Sequence, residues 1–101
     1  MGVKRTSADI VFEYLSRSTK IYDRTTKADT YLALGVRELW LVDPVTATIE
    51  VRYASTSEGA PAWETWIYSR GDHAKSRVLK GWEVSVEDIF TGLIEFTRLE
   101  D

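Results

Sequence analysis

The stretch Ala8–Gly35, "ADIVFEYLSRSTKIYDRTTKADTYLALG", decides the fold because it reads as a strand, a loop and a helix in succession. Its opening, "DIVFEYL", is rich in β-branched and aromatic residues, which favour strands. The apolar spacing from Ala28 to Leu34, followed by a glycine at position 35, predicts a helix that ends there. Glu13 lies inside the apolar strand, where an unpaired charge would be costly.

The rest of the chain adds mostly strands. "RELWLV" is a short apolar run that suits a strand buried on both faces, and "DPVTAT" is a turn in which Asp43 precedes a proline. "TIEVRYA" alternates cleanly, "AWETWIYS" predicts another strand, and "KSRVLKGWEV" predicts one short strand. "SVED" is a capping-box signature that opens a final helix at Ser85.

The predicted order is therefore β-α-β-β-β-β-α, an α/β (α+β) arrangement in one domain over residues 1–101. A strand, a helix and a strand in succession strongly favour a right-handed parallel connection. We therefore expect the strand at 10–15 to lie beside the strand at 39–42, with the helix at 24–34 as the crossover.

Composition excludes several classes of protein. The 101 residues are 44% hydrophobic and 29% charged, which is typical of a globular domain. With no Cys, disulfides and thiolate metal sites are excluded, and a cytoplasmic location is expected. The sequence contains neither a signal-peptide pattern nor a run of about 20 apolar residues. A net charge of −3 argues against general polyanion binding.

The charge is unevenly distributed. Arg17–Lys27 has four basic residues and one acidic residue, a net charge of +3, directly after the strand that contains Glu13. Glu83–Asp101 has six acidic residues and one Arg, a net charge of −5. Arg17, Lys20 and Arg24 are therefore candidates to contact phosphates, and an ordinary solvated loop is the alternative for each of them.

Two carboxylates of the first strand are candidate metal ligands. Asp9 and Glu13 share one face of the strand, but about 13 Å separates them at about 3.3 Å per residue. Magnesium takes its ligands at about 2.1 Å, so the two cannot bind one ion unless a bulge intervenes. The alternative is that Glu13 lies on an edge strand and faces water.

Lys27 has two possible partners. It follows Asp23 by four residues, which suits a weak ion pair on the surface of a helix. If the helix instead packs over the end of the strand, Lys27 reaches Glu13, where a lysine can orient a water or stabilise a phosphate anion. The residues alone favour the first arrangement, and the second, with the charged ends of Glu13 and Lys27 in one common space, is expected from the resemblance described below.

The segment from the first strand to Pro44 resembles the Uma-type family of putative restriction endonucleases, in the PD-(D/E)XK nuclease superfamily. That family shows a strand with an embedded Glu, then Ser-x-Ser-Thr, Tyr-Asp-Arg-x-x-Lys, and Tyr-x-x-x-Gly-Val-x-Glu-x-Trp-x-Val-Asp-Pro. The matching residues here are Asp9, Glu13, Ser16, Ser18, Thr19, Tyr22, Asp23, Arg24, Lys27, Tyr31, Gly35, Val36, Glu38, Trp40, Val42, Asp43 and Pro44. The downstream "LKGWEVSVEDIF" is similar to the usual ending of that family.

The resemblance implies a restriction-endonuclease-like mixed sheet with flanking helices and Mg²⁺- or Mn²⁺-dependent hydrolysis of DNA. Glu13 would be the acidic ligand of the motif. Leu15 stands where the motif name expects Lys, and Lys27 would replace it from the helix. Tyr14 and Arg17 depart from the Val and Pro of the family pattern.

Members of the family are roughly twice as long as this chain. The resemblance therefore implies an N-terminally truncated fold, the C-terminal part of a nuclease, whose other metal-binding Asp is expected before Ala8. Two alternatives to an active nuclease stay open: a non-catalytic interaction module, and half of a split enzyme. An uncovered sheet edge and an excess of aromatic residues predict a dimer or a larger homo-oligomer.

Overall fold

The computed structural model describes residues 9–15 and 23–92. Within these two ranges, the elements are six strands and two helical segments. A π-helical turn, Asp23–Lys27, leads directly into helix α1, Ala28–Ala33. A second helix, α2, spans residues 86–92. The strands are β1 Ile10–Tyr14, β2 Glu38–Asp43, β3 Thr48–Ser57, β4 Ala60–Tyr68, β5 His73–Lys75 and β6 Glu83–Ser85.

The main sheet is mixed and has the order β1-β2-β3-β4. β1 pairs parallel with β2, and the remaining neighbours are antiparallel. The predicted parallel pairing and the mixed α+β class are therefore confirmed. The helical segment lies between these two strands in the chain, as expected of a crossover.

The region predicted to contain one short strand differs from the prediction. β5 and β6 are two short antiparallel strands that form a separate sheet. The chain between them turns at Gly81, whose φ is +86°. This left-handed conformation suits glycine, and it lets a short segment fold back on itself.

The two faces of the main sheet pack against different layers. On the helix face, Leu15, Leu39 and Leu41 form one buried cluster with Ala28 of α1. On the opposite face, a second cluster includes Trp40, Ile49, Val51, Ala74, Val86 and Phe90. β2 contributes to both clusters, in agreement with its continuous apolar sequence.

The ends of the helices have clear local causes. Gly35 has a φ of +90°, and the amides of Gly35 and Val36 donate to the carbonyls of Leu32 and Tyr31, which is a Schellman motif. The Ser85 hydroxyl accepts from the amide of Asp88 at 3.3 Å, as the capping signature predicts. In the described part of the chain, no helix is long and apolar enough to cross a membrane.

Candidate functional site

Three carboxylates lie on the helix face of the sheet. In the strand register, Leu41 pairs with Glu13 on one side and with Glu50 on the other. Directly paired residues point to the same face, and Leu41 is in the cluster beneath α1. Asp43 follows Leu41 by two residues and so shares this face. The three acidic side chains are thus gathered beneath the helical segment.

The Glu13 cluster consists of Glu13, Lys27 and Tyr31. The Lys27 Nζ donates to Glu13 Oε1 at 3.1 Å, and the Tyr31 hydroxyl donates to Glu13 Oε2. The Glu13 side chain is 17% exposed and that of Lys27 is 34% exposed. Glu13 therefore lies under the helix rather than facing open water. The expected proximity of Glu13 and Lys27 is confirmed, while their catalytic roles stay predictions.

The Arg24 cluster consists of Arg24, Asp43, Glu50 and Arg52. Arg24 donates from Nη2 to Asp43 at 2.9 Å and from Nη1 to Glu50 at 2.6 Å. Arg52 Nε donates to the other oxygen of Glu50 at 2.6 Å, and its Nη1 donates to the carbonyl of Arg24 at 2.7 Å. The carboxylates are deeply buried, with Asp43 1% and Glu50 5% exposed. This cluster joins the π-helical turn to β2 and β3.

Sequence reasoning missed most of the Arg24 cluster. Asp43 was predicted as a turn residue, and it does accept a hydrogen bond from the amide of Val45 at 3.0 Å. Its ion pair with Arg24 was not foreseen. Glu50 and Arg52 alternate with apolar residues in β3, and this pattern alone suggests a solvated face. The face is instead covered by the helical segment.

Of the three residues predicted to contact phosphates, Arg24 is the one that the structure describes. Two guanidinium nitrogens of Arg24 bind carboxylates, while its buried Nε has no hydrogen-bond partner among the described residues. Arg17 and Lys20 lie outside the described residues. The DNA-binding roles of all three residues stay predictions.

Asp9 is not brought to Glu13. β1 pairs with β2 without interruption from Ile10 to Tyr14, so no bulge shortens the separation of about 13 Å that an extended strand gives. The two carboxylates thus cannot share one ion. Residues 9–15 and 23–92 also contain no group of three His, Cys, Asp or Glu side chains arranged to hold a metal.

The chemistry of Glu13 nevertheless fits one position around a hard cation. Magnesium typically binds one or two protein carboxylates and takes its remaining ligands from water and substrate phosphates. A carboxylate has about four lone-pair sites, so Glu13 can accept from Lys27 and Tyr31 and still offer oxygen lone pairs to a cation. Hydrogen-bonded support behind a ligating carboxylate is common in metal sites.

Glu38 forms a second feature that the sequence did not reveal. This fully buried carboxylate accepts from the indole of Trp40, the hydroxyl of Ser76 and the amide of Arg77, at 2.7–3.1 Å. These bonds fix the segment between β5 and β6 onto the sheet. They lie on the face opposite to Glu13, so Glu38 is not part of the Glu13 cluster.

The edge aromatics, Phe12, Tyr14 and Trp82, lie on that opposite face beside β1. Phe12 and Tyr14 are each 57% exposed and Trp82 is 41% exposed. The rings of Phe12 and Trp82 both contact Trp40, with centroids 5.5 and 5.3 Å away. β1 is also an edge of the described sheet. Exposed apolar surface of this kind commonly marks an interaction site.

Comparison with known proteins agrees with the predicted resemblance. The family Uma2, described as "Putative restriction endonuclease", matches residues 4–87. A solved structure of a putative nuclease belonging to DUF820 from Anabaena variabilis ATCC 29413 aligns with a TM-score of 0.65 and 23% identity. The alignment covers 84% of this chain and 45% of that chain, so this chain spans less than half of its length. No curated protein matches.

Proposed function

The chain belongs to the Uma2 family of putative restriction endonucleases, and from this premise we propose that it acts in metal-dependent hydrolysis of DNA phosphodiester bonds. The observation that supports this most directly is the contact of Lys27 with Glu13, two residues distant in sequence that meet at the end of β1. A lysine and a carboxylate at this place are what the family resemblance implies for the site.

The roles follow from the chemistry of the side chains. Glu13 would hold Mg²⁺ or Mn²⁺, which when bound activates water and neutralises the scissile phosphate. Lys27 orients the attacking water or stabilises the developing negative charge. Arg17, Lys20 and Arg24 are proposed to contact flanking phosphates, and these contacts would position the DNA without specifying its sequence.

The direct test is a cleavage assay with Mg²⁺ or Mn²⁺ on the wild type and on Glu13→Gln. We expect the substitution to lower the rate by about 100-fold or more, because a metal ion supplies several kcal/mol of stabilisation in the transition state. Glu64→Gln is the matched control, since Glu64 is exposed on β4. Unchanged cleavage by Glu13→Gln would overturn the proposed role of Glu13 as ligand.

The edge aromatics favour a second candidate function, an interaction module that associates with a second copy of the chain. An edge strand presents unpaired backbone groups, and apolar side chains beside it add buried area on association. A split enzyme, in which another chain completes the site, would use the same edge. Absence of cleavage by the wild type would favour this candidate over the first.

Self-association can be tested by sedimentation at micromolar concentration. We expect a dimer or larger species for the wild type and a monomer for Phe12→Ser. Ile67→Ser is the control, because Ile67 is similarly exposed but lies on β4 at the other edge of the described sheet. A wild-type monomer with no concentration dependence would contradict the interaction module.

A further inference from the structure

We propose that Tyr31 is a positioning residue that holds the Glu13 carboxylate independently of Lys27. This inference rests on the proposed function and extends it to a residue with no role assigned so far. Its basis is that the two oxygens of Glu13 accept from different donors, Oε1 from Lys27 and Oε2 from the Tyr31 hydroxyl. Both donors come from the same side of the helical segment, one turn apart.

The two donors differ in rigidity. Lys27 is at the junction of the π-helical turn with α1, and its ammonium is on a flexible stem that is one-third exposed. The ring of Tyr31 packs against the buried cluster of Leu15, Ala28, Leu39 and Leu41. A tyrosine side chain also has only two rotatable angles to fix. The phenol is therefore the more constrained donor of the two.

The two donors also differ in charge. Lys27 neutralises Glu13, whereas the neutral hydroxyl of Tyr31 orients the carboxylate and leaves its negative charge intact. Any movement of the Lys27 ammonium towards a phosphate weakens its 3.1 Å contact with Glu13. At that moment Tyr31 keeps Glu13 in place, and the negative charge of the carboxylate is no longer offset by the ammonium when it faces a divalent cation. Tyr31 thus allows Lys27 to exchange partners without loss of the Glu13 geometry.

The first experiment compares Mn²⁺ binding, followed by the electron paramagnetic resonance signal of the free ion, in the wild type and Tyr31→Phe. The substitution keeps the packed ring and removes only the hydroxyl. We expect Mn²⁺ affinity to fall about 10–100-fold, the usual effect of removing a group that orients a metal ligand. Tyr68→Phe, on β4 and the opposite face, is the control and should bind Mn²⁺ like the wild type.

The second experiment tests the contact without metal, by urea unfolding of a double-mutant cycle. Tyr31→Phe should lower the unfolding midpoint more in the wild type and in Lys27→Met than in Glu13→Ala. An equal shift in the Glu13→Ala background would overturn the positioning role. Loss of the shift in Lys27→Met would overturn its independence from Lys27.

The two experiments separate this inference from the proposed function. If the wild type binds Mn²⁺ and Tyr31→Phe binds it equally well, the positioning role is overturned while the nuclease proposal stands. If the wild type neither binds Mn²⁺ nor cleaves DNA, the nuclease proposal fails. The unfolding cycle then decides the role of Tyr31 alone, because coupling supports it and additivity overturns it.

Discussion

Two charged clusters lie beneath the same helical segment, and they differ in burial and in the number of charged side chains that they contain. The Arg24 cluster has two arginines and two carboxylates, and its acidic members are almost completely buried. The Glu13 cluster contains the ion pair of Lys27 with Glu13 and the phenol of Tyr31, and both charged side chains keep partial access to solvent. The two clusters are neighbours, because Glu13 and Glu50 flank Leu41 in the sheet.

From this difference we infer a structural role for the Arg24 cluster, and the reactive role proposed above falls to the Glu13 cluster. Charges removed from water must be paired and hydrogen-bonded, and the Arg24 cluster satisfies its carboxylates from three elements at once. Such a cluster fixes the helical segment but has little freedom to bind a substrate. Lys27 and Glu13 keep partial access to solvent, so we expect the Glu13 cluster to accept a cation or a phosphate without exposing the core.

We expect the largest effect on stability from Arg24→Met, which disrupts the Arg24 cluster. Asp43 and Glu50 then lose a cationic partner while still buried, and breaking a buried ion pair in this way costs about 3–5 kcal/mol. Because Arg52 still pairs with Glu50, we expect a loss near about 3 kcal/mol in the free energy of unfolding, measured with urea. A loss below about 1 kcal/mol, which is typical of a surface ion pair, would contradict the structural role of the Arg24 cluster.

The DNA affinity of Arg24→Met tests whether Arg24 also contacts a phosphate. If Arg24 contacts a phosphate, its removal should lower the slope of log affinity against log salt by about 1. An unchanged slope together with reduced stability would assign Arg24 to the structural cluster alone.

The next prediction concerns Lys27→Met, which changes the Glu13 cluster. We expect DNA cleavage to slow by about 10²–10³-fold, as on removal of a donor that stabilises transition-state charge. The free energy of unfolding should change by less than about 1 kcal/mol, because Lys27 is partly exposed and solvent screens its ion pair. Lys75→Met, an exposed lysine on β5, is the control for general charge effects. Equal cleavage by wild type and Lys27→Met would remove Lys27 from the site.

The sequence of one continuous segment was sufficient to predict the contact of Lys27 with Glu13 and insufficient to predict the Arg24 cluster. Strand alternation fixes the face of Glu13, and the crossover rule places the following helix near it, so Lys27 could be assigned from one continuous segment. The Arg24 cluster depends on β3, which meets the helical segment only after the sheet has formed. Its carboxylates are at positions 43 and 50, and the spacing in sequence contains no sign of that meeting.

Glu38, on the opposite face of the sheet, also has partners that the sequence does not predict. Its three shortest hydrogen bonds involve one neighbour in β2 and two residues of the distant segment at 76–77. That segment lies in the region predicted to contain one short strand, and it is the connection between β5 and β6. A charged residue at the start of an apolar strand gives no signal of such a partner.

We expect the smallest loss of stability from disrupting an exposed ion pair. Arg70 and Glu87 form an ion pair of 2.9 Å between the turn after β4 and α2, with both side chains about half exposed. Its short distance matches that of Arg24 to Asp43, so burial is the main difference between the two pairs. Arg70→Met should therefore cost only about 0.2–1 kcal/mol in urea unfolding, since water and salt screen the pair. A double-mutant cycle with Glu87→Gln isolates the pairwise energy, and 0.5 M salt should reduce it further. If the coupling energy of Arg70 with Glu87 equalled the loss expected for Arg24→Met, distance rather than burial would determine the strength of these pairs. The distinction drawn between the Arg24 cluster and the Glu13 cluster would then fail.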